Sequence, residues 1–407
     1  MSNWQIVKLG ELYSVHNGLS KGRQFFGTGY PFLTFSNVFN NWFLPNELDS
    51  LVQTTDKERE ACSIKYGDVF ITRTSETMNE LGMSSVALKD YPDATYNGFT
   101  KRLRPFTDKV LPNYIGYYLR SPKFRGKFMA FSSMTTRASL ANDNLLNMEI
   151  ELPPMDVQKK IASTLSRYDS LIDNYQKQIK LLEEAAQRLY KEWFVNLRFP
   201  GHENTKIVDG MPEGWEKKKI SDICDTIGGG TPSTKVASYY EGGTIKWVTP
   251  TDITRNKSLC LLDTDKKITE EGLKHSSAKM LPAGTILMTS RASVGYFGIA
   301  DFEVSTNQGF ISCIPTLEYY QMYLLRNLMN RVEEIRIKAG GSTYLEISKS
   351  VFRNLDIICP SDKILQKFQA RANAYYMQEK NLSIQLRLLT ESRDRLLPKL
   401  LSGEIEV

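Results

Sequence analysis

The stretch AAQRLYKEWFVNLRFPG (185–201) and the terminal RDRLLPKLLSGEIEV (393–407) are two versions of one amphipathic pattern. Leu396 stands 207 positions after Leu189, and Leu400 stands 207 positions after Trp193. A period that long rules out a solenoid and means a duplicated domain. TRASLANDNLLNMEIELP (136–153) lies over TYLEISKSVFRNLDIICP (343–360) without a gap, pairing Asn147 with Asn354, Ile150 with Ile357 and Pro153 with Pro360. Other fragments keep the same order at drifting offsets. WQIVKLGELYSVHNG (4–18) matches WEKKKISDICDTIGG (215–229), YPFLTFSNV (30–38) matches IKWVTPTDI (245–253), YGDVFITRTS (66–75) matches AGTILMTSRAS (283–293), and NGF (97–99) matches QGF (308–310). Each match is weak alone, but chance does not keep five fragments collinear.

Each copy has two parts. The first, 1–154 or 214–360, mixes short β-rich runs with Gly, Pro, Asn and Ser turns and reads as a compact mixed α/β (α+β) domain. The second, 155–198 or 361–401, has almost no Gly or Pro and helical periodicity. Its apolar positions recur at 4-3 spacing: Ile161, Leu165, Tyr168, Ile172, Tyr175, Ile179, Leu182, Ala186, Leu189 and Trp193. Adding 207 gives Phe368, Ala372, Tyr375, Glu379, Leu382, Leu386, Leu389, Arg393, Leu396 and Leu400, in the same register. A heptad seam sustained this far predicts a coiled coil.

Two equal seams in one chain most simply pack on each other, although pairing between two chains is also open. The pattern allows parallel or antiparallel packing. Duplication favours antiparallel, because the same seam then faces itself across a pseudo-two-fold. Glu379 and Arg393 interrupt the second seam, as points where another protein meets the helices, as register marks, or as simply tolerated substitutions. Pro153-Pro154 precedes the first helix and Pro200-Gly201 follows it, as start and stop signals. Pro398 replaces Lys191 of the first copy, so the second helix is expected to kink or end there and its tail to leave the straight helix.

Length and charge narrow the function. At 407 residues, more than one domain is expected. A net charge of +6 permits a polyanion partner without requiring one. The five cysteines (Cys62, Cys224, Cys260, Cys313, Cys359) are scattered, with no CxxC, which argues against a zinc ribbon or a disulfide framework. No apolar run is long enough to span a bilayer and no signal peptide opens the chain, so a cytoplasmic protein is expected. The search for catalysis is nearly empty. His16, His202 and His275 have no partner at metal or general-base spacing, and neither HExxH nor GxSxG occurs. GGGTPSTK (228–235) is not a phosphate-cradling GxxxxGK[ST]. FFGTG (25–29) satisfies the FxGxG of amino-methyltransferases, but the chain's one Pro-Pro, in LPPM (152–155), lacks the polar and aromatic flanks that catalysis needs there. No metal and no catalytic residue is expected.

What recurs instead is a loop vocabulary of Ser, Thr, Asn, Arg and aromatic residues, suited to phosphates and base edges. It occupies GLSKGRQFFGTGY (18–30), TRTSETMNE (72–80) and SSMTTRAS (132–139), and then GGGTPSTKVASYY (228–240), TPTDITRN (249–256), TSRASVG (289–295) and KAGGSTY (338–344). Residues 101–137 add nine Lys or Arg against one acid, a candidate phosphate-facing surface, with a solvated helix face as the plain alternative.

With these residues in view, the chain resembles the specificity (S) subunit of type I restriction–modification systems. RDRLLPKLLSGEIEV is similar to that family's C-terminal conserved segment, RLYKEWFVNLRFPG (188–201) to its central one, and GGGTPS with GSTYLEISKSVFRNLDI (341–357) to its recognition domain. The first domain departs most, with NGLSKGR (17–23) in place of GGTPS. The resemblance implies target-recognition domains at 1–154 and 214–360. Between them it implies a central conserved helix at 155–198, a linker at 199–213, and a C-terminal conserved helix and tail at 361–407. It also implies an antiparallel coiled coil between the helices and a bipartite, asymmetric double-stranded DNA site. The family's subunit has no catalytic centre of its own. It implies two methyltransferase (M) subunits that carry S-adenosylmethionine, restriction/translocase (R) subunits, and no membrane. The alternative is a stand-alone bipartite DNA-binding or anti-restriction protein. The loop residues expected to meet DNA are Lys21, Arg23, Arg73, Thr136 and Arg137 in the first domain, and Thr231, Ser233, Lys235, Arg291, Ser342 and Tyr344 in the second.

Overall fold

A computed structural model describes residues 4–75, 80–131, 138–139, 141–341 and 344–407. It resolves into two compact units, Met1–Leu171 with Leu389–Val407, and Ile172–Leu388.

The first unit is built on an antiparallel sheet of Tyr13–Asn17, Thr100–Pro105, Val69–Thr72 and Ser84–Val86, in that order. Val69–Thr72 is buried along its whole length, as its unbroken apolar run requires of a central strand. The helix Pro112–Arg120 buries Tyr114, Ile115, Tyr117, Tyr118 and Leu119 in the same core as Val69, Ile71 and Leu103. A second, smaller sheet contains Phe26–Leu33, whose pairing with Leu51–Val52 slips between Phe26 and Tyr30. Gly27 and Gly29 take positive φ within that slip, so FFGTG forms an irregular strand entry.

The second unit repeats the plan. Cys224–Gly228, Phe310–Pro315, Thr285–Thr289 and Phe297–Ala300 lie in the same order, and Cys260–Leu261 adds a fifth, parallel strand. Val69 faces Leu103 and Val86 in the first unit, and Ile286 faces Cys313 and Ile299 in the second. Where Cys260–Leu261 stands, the first unit has a single parallel bridge, Phe43 to Val86. Gln5–Lys8 pairs with Glu149–Leu152, and Glu216–Lys219 with Asp356–Cys359, in matching register. All five cysteines are buried and unpaired.

The long helices are Met155–Tyr190, extended by a π-turn at Lys191–Val195, and Asp362–Ser402. In the first unit Asp169 faces Arg393, while Ile161 and Leu165 share a core with Leu397, Leu400 and Leu401. In the second, Glu183 lies against Glu379, and Trp193 packs on Phe368. Rising numbers on one helix meet falling numbers on the other in each unit, so the helices run antiparallel. Every seam position is buried or half-buried, with Ile161, Leu165, Ile179, Ala186, Trp193, Phe368, Ala372, Glu379 and Leu400 the deepest. Among the described residues no helix is long and apolar enough to cross a membrane.

Pro398 does not end the second long helix, which continues past it to Ser402. The missing N–H costs only one bond near the helix end, and burial of Leu397, Leu400 and Leu401 outweighs it. Residues 199–213 carry local structure. They hold a helical turn, His202–Asn204, and a hairpin of Ile207–Val208 with Met211–Pro212, and Phe199 is buried against Trp215.

Candidate nucleic-acid interface

Both units present loops from the ends of the same strands, anchored by the same backbone bonds. In the first unit Leu19 N–H donates to Tyr96 O (2.8 Å), Asn97 N–H to Leu33 O (3.1 Å) and Arg73 N–H to Phe99 O (2.9 Å). In the second, Gly230 N–H donates to Thr306 O (2.9 Å), Asn307 N–H to Val248 O (3.0 Å) and Ser290 N–H to Gly309 O (2.8 Å). An asparagine turn closes each set: Asn97 Oδ1 accepts from Phe99 N–H and Asn307 Oδ1 from Gly309 N–H, both at 2.9 Å. The structural partner of Asn97 is therefore Asn307, and NGF aligns with NQG (307–309), one residue from the glycine-on-glycine match. Entry to each loop is equally tight. A Cβ on Gly18 would sit 2.0 Å from Asn97 O, and one on Gly229 would sit 2.0 Å from Asn307 O.

On this shared frame the side chains differ. In the first unit Arg23 is exposed on a helical turn, whereas Lys21 is ion-paired with Glu58 at 2.7 Å and lies over the Phe25 ring. Lys21 is thus a brace for its loop more than a free cation. Arg73 is half-buried and donates to Asn17 Oδ1 at 3.4 Å. Thr136 and Arg137 lie outside the described residues, as does Ser342 of the second unit. There, Thr231 is exposed and donates through its hydroxyl to Gln308 Oε1. Ser233 and Lys235 are exposed in the same loop. Arg291 lies 3.6 Å from Glu346 where residues 290–292 bridge to 345–347, and Tyr344 beside them is 58% exposed. The anchors bring Arg73 to the 97–99 turn, and Thr231 to the 307–309 turn.

Sequence reading missed three residues on these frames: exposed Phe99, exposed Gln308, and Lys349, whose Nζ lies against Gly228. The first two sit inside the NGF and QGF fragments, whose repetition marks the duplication and carries no mark of a site.

The basic run at 101–137 is largely a scaffold. Lys101 is buried and donates to Asn142, and its ammonium is held below the ordinary lysine range by desolvation and by nearby Arg73. Arg102 is buried and reaches Ser63 O at 2.7 Å, and Arg104 pairs with buried Asp68 at 2.6 Å. Arg120 donates to the carbonyls of Ser84, Val38, Phe39 and Asn41, and burial lowers it to about 10. Lys123 and Lys127 face Glu151. Most of these cations satisfy backbone acceptors or acids of their own unit, so most of the described part of the run serves as scaffold. Among the described residues no cluster of His, Cys, Asp or Glu could hold a metal.

The chain matches the family described as type I restriction modification DNA specificity domain over residues 1–184 and 212–390. It is 28% identical to the type I restriction enzyme MjaIX specificity subunit of Methanocaldococcus jannaschii, over all of this chain and 94% of that one. Identity is 25% to the HindI specificity subunit of Haemophilus influenzae, with both chains covered in full. The crystal structure of a type I restriction–modification S subunit from M. genitalium shares the fold at a TM-score of 0.59, with 14% identity over 98% of this chain and 96% of that one. Two matched copies spanning most of the chain, on a fold shared along its length, place this protein in the family of type I restriction–modification specificity (S) subunits.

Proposed function

We propose that this chain is the non-catalytic specificity subunit that directs a type I methyltransferase/restriction complex to DNA. It reads a bipartite, asymmetric double-stranded site, one half with each loop set. The observation that carries this reading is the duplicated anchor. Identical backbone bonds hold the 97–99 and 307–309 turns, while the residues displayed differ: Arg23, Arg73 and Phe99 in one unit, and Thr231, Lys235, Arg291 and Gln308 in the other. One frame carrying two sets of donors, cations and aromatic rings is what an asymmetric site needs, because phosphate contacts position a reader and base-edge contacts specify. Linking two small readers in one chain raises the effective concentration of the second once the first is bound.

In this reading the partners are two methyltransferase subunits, which bring S-adenosylmethionine, and restriction/translocase subunits in the full complex. The compartment is the cytoplasm. The test is to co-express the chain with the methyltransferase encoded beside it and map methylated positions by sequencing. Exchanging residues 214–360 for those of another family member should then change one half-site only. A change in both halves, or in neither, overturns the modular reading.

A further inference from the structure

The second unit holds an unusual pair of acids where the helices meet the sheet. Glu379, a seam position, is only 1% exposed. Its Oε1 accepts from Leu259 N–H at 2.6 Å and from Ser258 Oγ at 2.9 Å. Glu183, on the other helix, accepts from the same Leu259 N–H at 3.2 Å, so the two carboxylates converge on one donor, while Glu379 Oε2 is buried without a hydrogen-bond partner among the described residues. Ser383 Oγ completes the set by donating to Glu379 O (2.8 Å) and meeting Ser258 Oγ (2.9 Å). Leu259 leads into the edge strand of the sheet, and its carbonyl accepts from Ile299 N–H at 2.7 Å. One peptide unit is thus held by the helices through its N–H and by the sheet through its C=O.

We propose that Glu183 and Glu379, sharing a single proton, form a proton-dependent latch that positions the 256–262 segment, and with it the edge of the second unit's sheet, on the two long helices. Two carboxylates converging on one N–H cannot both stay ionised at low cost, so one proton between them turns repulsion into a hydrogen bond. Burial and Glu379 push Glu183 up to about 8. Arg326 is the cation facing the pair. It is 1% exposed, its Nη1 donates to the main-chain carbonyl of Glu183 at 3.4 Å, and its Nε and Nη2 have no hydrogen-bond acceptor among the described residues, so it offers the two carboxylates charge without a direct bond to either. The neighbouring ionisable groups are engaged elsewhere, since Asp301 takes Lys380 (3.0 Å), the Tyr376 hydroxyl (2.9 Å) and the Cys260 thiol (3.7 Å). Ser258 and Ser383 also line a cavity of about 390 Å³, which brings solvent within one hydrogen bond of the pair.

The closed latch keeps a proton that an opened, solvated glutamate releases. Closure is therefore fullest in acid, weakens as pH rises from the ordinary glutamate range toward about 8, and levels off above it. The test is hydrogen exchange of the 256–262 segment in the full-length chain, corrected for the intrinsic effect of pH, in wild type, Glu183→Gln and Glu379→Gln. Wild-type protection should fall at least about tenfold between pH 6 and pH 8 and then level. Glu183→Gln, which keeps a donor toward Glu379 but has no proton to lose, should flatten that slope. Glu379→Gln should retain the Leu259 bond and rescue most of the protection that Glu379→Ala loses. Coincident pH profiles for wild type and Glu183→Gln overturn the latch. A second readout needs no variant to fold. The infrared carbonyl band of a buried protonated carboxyl should be present in wild type at pH 6 and fade as pH passes about 8, and its absence at pH 6 overturns the proposal. Neither measurement involves DNA, so a chain that shows the latch but binds no DNA refutes the proposed function alone.

Discussion

The two units share their loop anchors bond for bond, yet they join the long helices by opposite chemistry. In the first unit the joint is an ordinary ion pair. Arg393 meets Asp169 at 2.7 Å, Asp169 also accepts from the Tyr117 hydroxyl at 2.6 Å, and the guanidinium lies 5.4 Å from the centre of the Trp42 ring. In the second unit the joint is two acids on one peptide N–H. Trp42 and Leu259 are structural counterparts, since Val86 N–H donates to Trp42 O as Ile299 N–H donates to Leu259 O. The same position is thus held through an aromatic face in one copy and through a main-chain donor in the other. Duplication preserved the backbone scheme that displays the loops, while the helix joint could be rebuilt, because any contact that fixes Trp42 or Leu259 meets the same mechanical need.

Substitutions can break or sharpen this contrast. The largest effect belongs to Glu379→Ala, which removes the shorter of the two acceptors of the Leu259 N–H and the acceptor of the Ser258 hydroxyl, and leaves a cavity in a buried site. It should destabilise the second unit by about 3–4 kcal/mol in denaturant-dependent hydrogen exchange and leave the first unit unchanged. A loss spread over both units would deny that the joint is local. Next come Gly18→Ala and Gly229→Ala. Each pushes a methyl into a carbonyl, and each should cost its own unit about 2–3 kcal/mol. Unequal losses would break the claimed equivalence of the loop anchors. Arg393→Ala should cost the first unit about 1–2 kcal/mol, because Asp169 remains partly solvated, with no change of slope between pH 6 and pH 8. Lys177→Ala removes an exposed ion pair with Asp173 on the first long helix and should move stability by less than about 0.5 kcal/mol. A larger effect would show that charge on the helix surface, and not at the joints, carries the energy.

Much of the architecture was legible in the sequence because it is periodic. The 4-3 seam marks both helices, and collinear fragments mark the duplication. The misreadings share a physical cause, which is that their partners carry no sequence signature. Glu379 read as an intrusion because its partner is the backbone N–H of Leu259, 120 positions away. Arg120 counted toward a phosphate-binding cluster because main-chain carbonyls are invisible to a charge count. Asn307 lost its match to Asn97 because aligning glycines overrode the turn that each asparagine closes. At the candidate interface, the sequence indicated loops and donor types. It did not reveal that Lys21 is already paired, or that Phe99 stands exposed beside Arg73.

The first unit is completed by residues 389–407, whose Leu397, Leu400 and Leu401 cover Ile161 and Leu165. On the ribosome this reverses the usual order, in which the N-terminal domain finishes first. The first unit must wait, with an apolar stripe open, until residues 397–401 have emerged, while the second, contiguous unit can close beforehand. Termination before Leu397 would therefore injure the first unit rather than the second. A chain lacking those leucines should be recognised by chaperones and proteases through its N-terminal half.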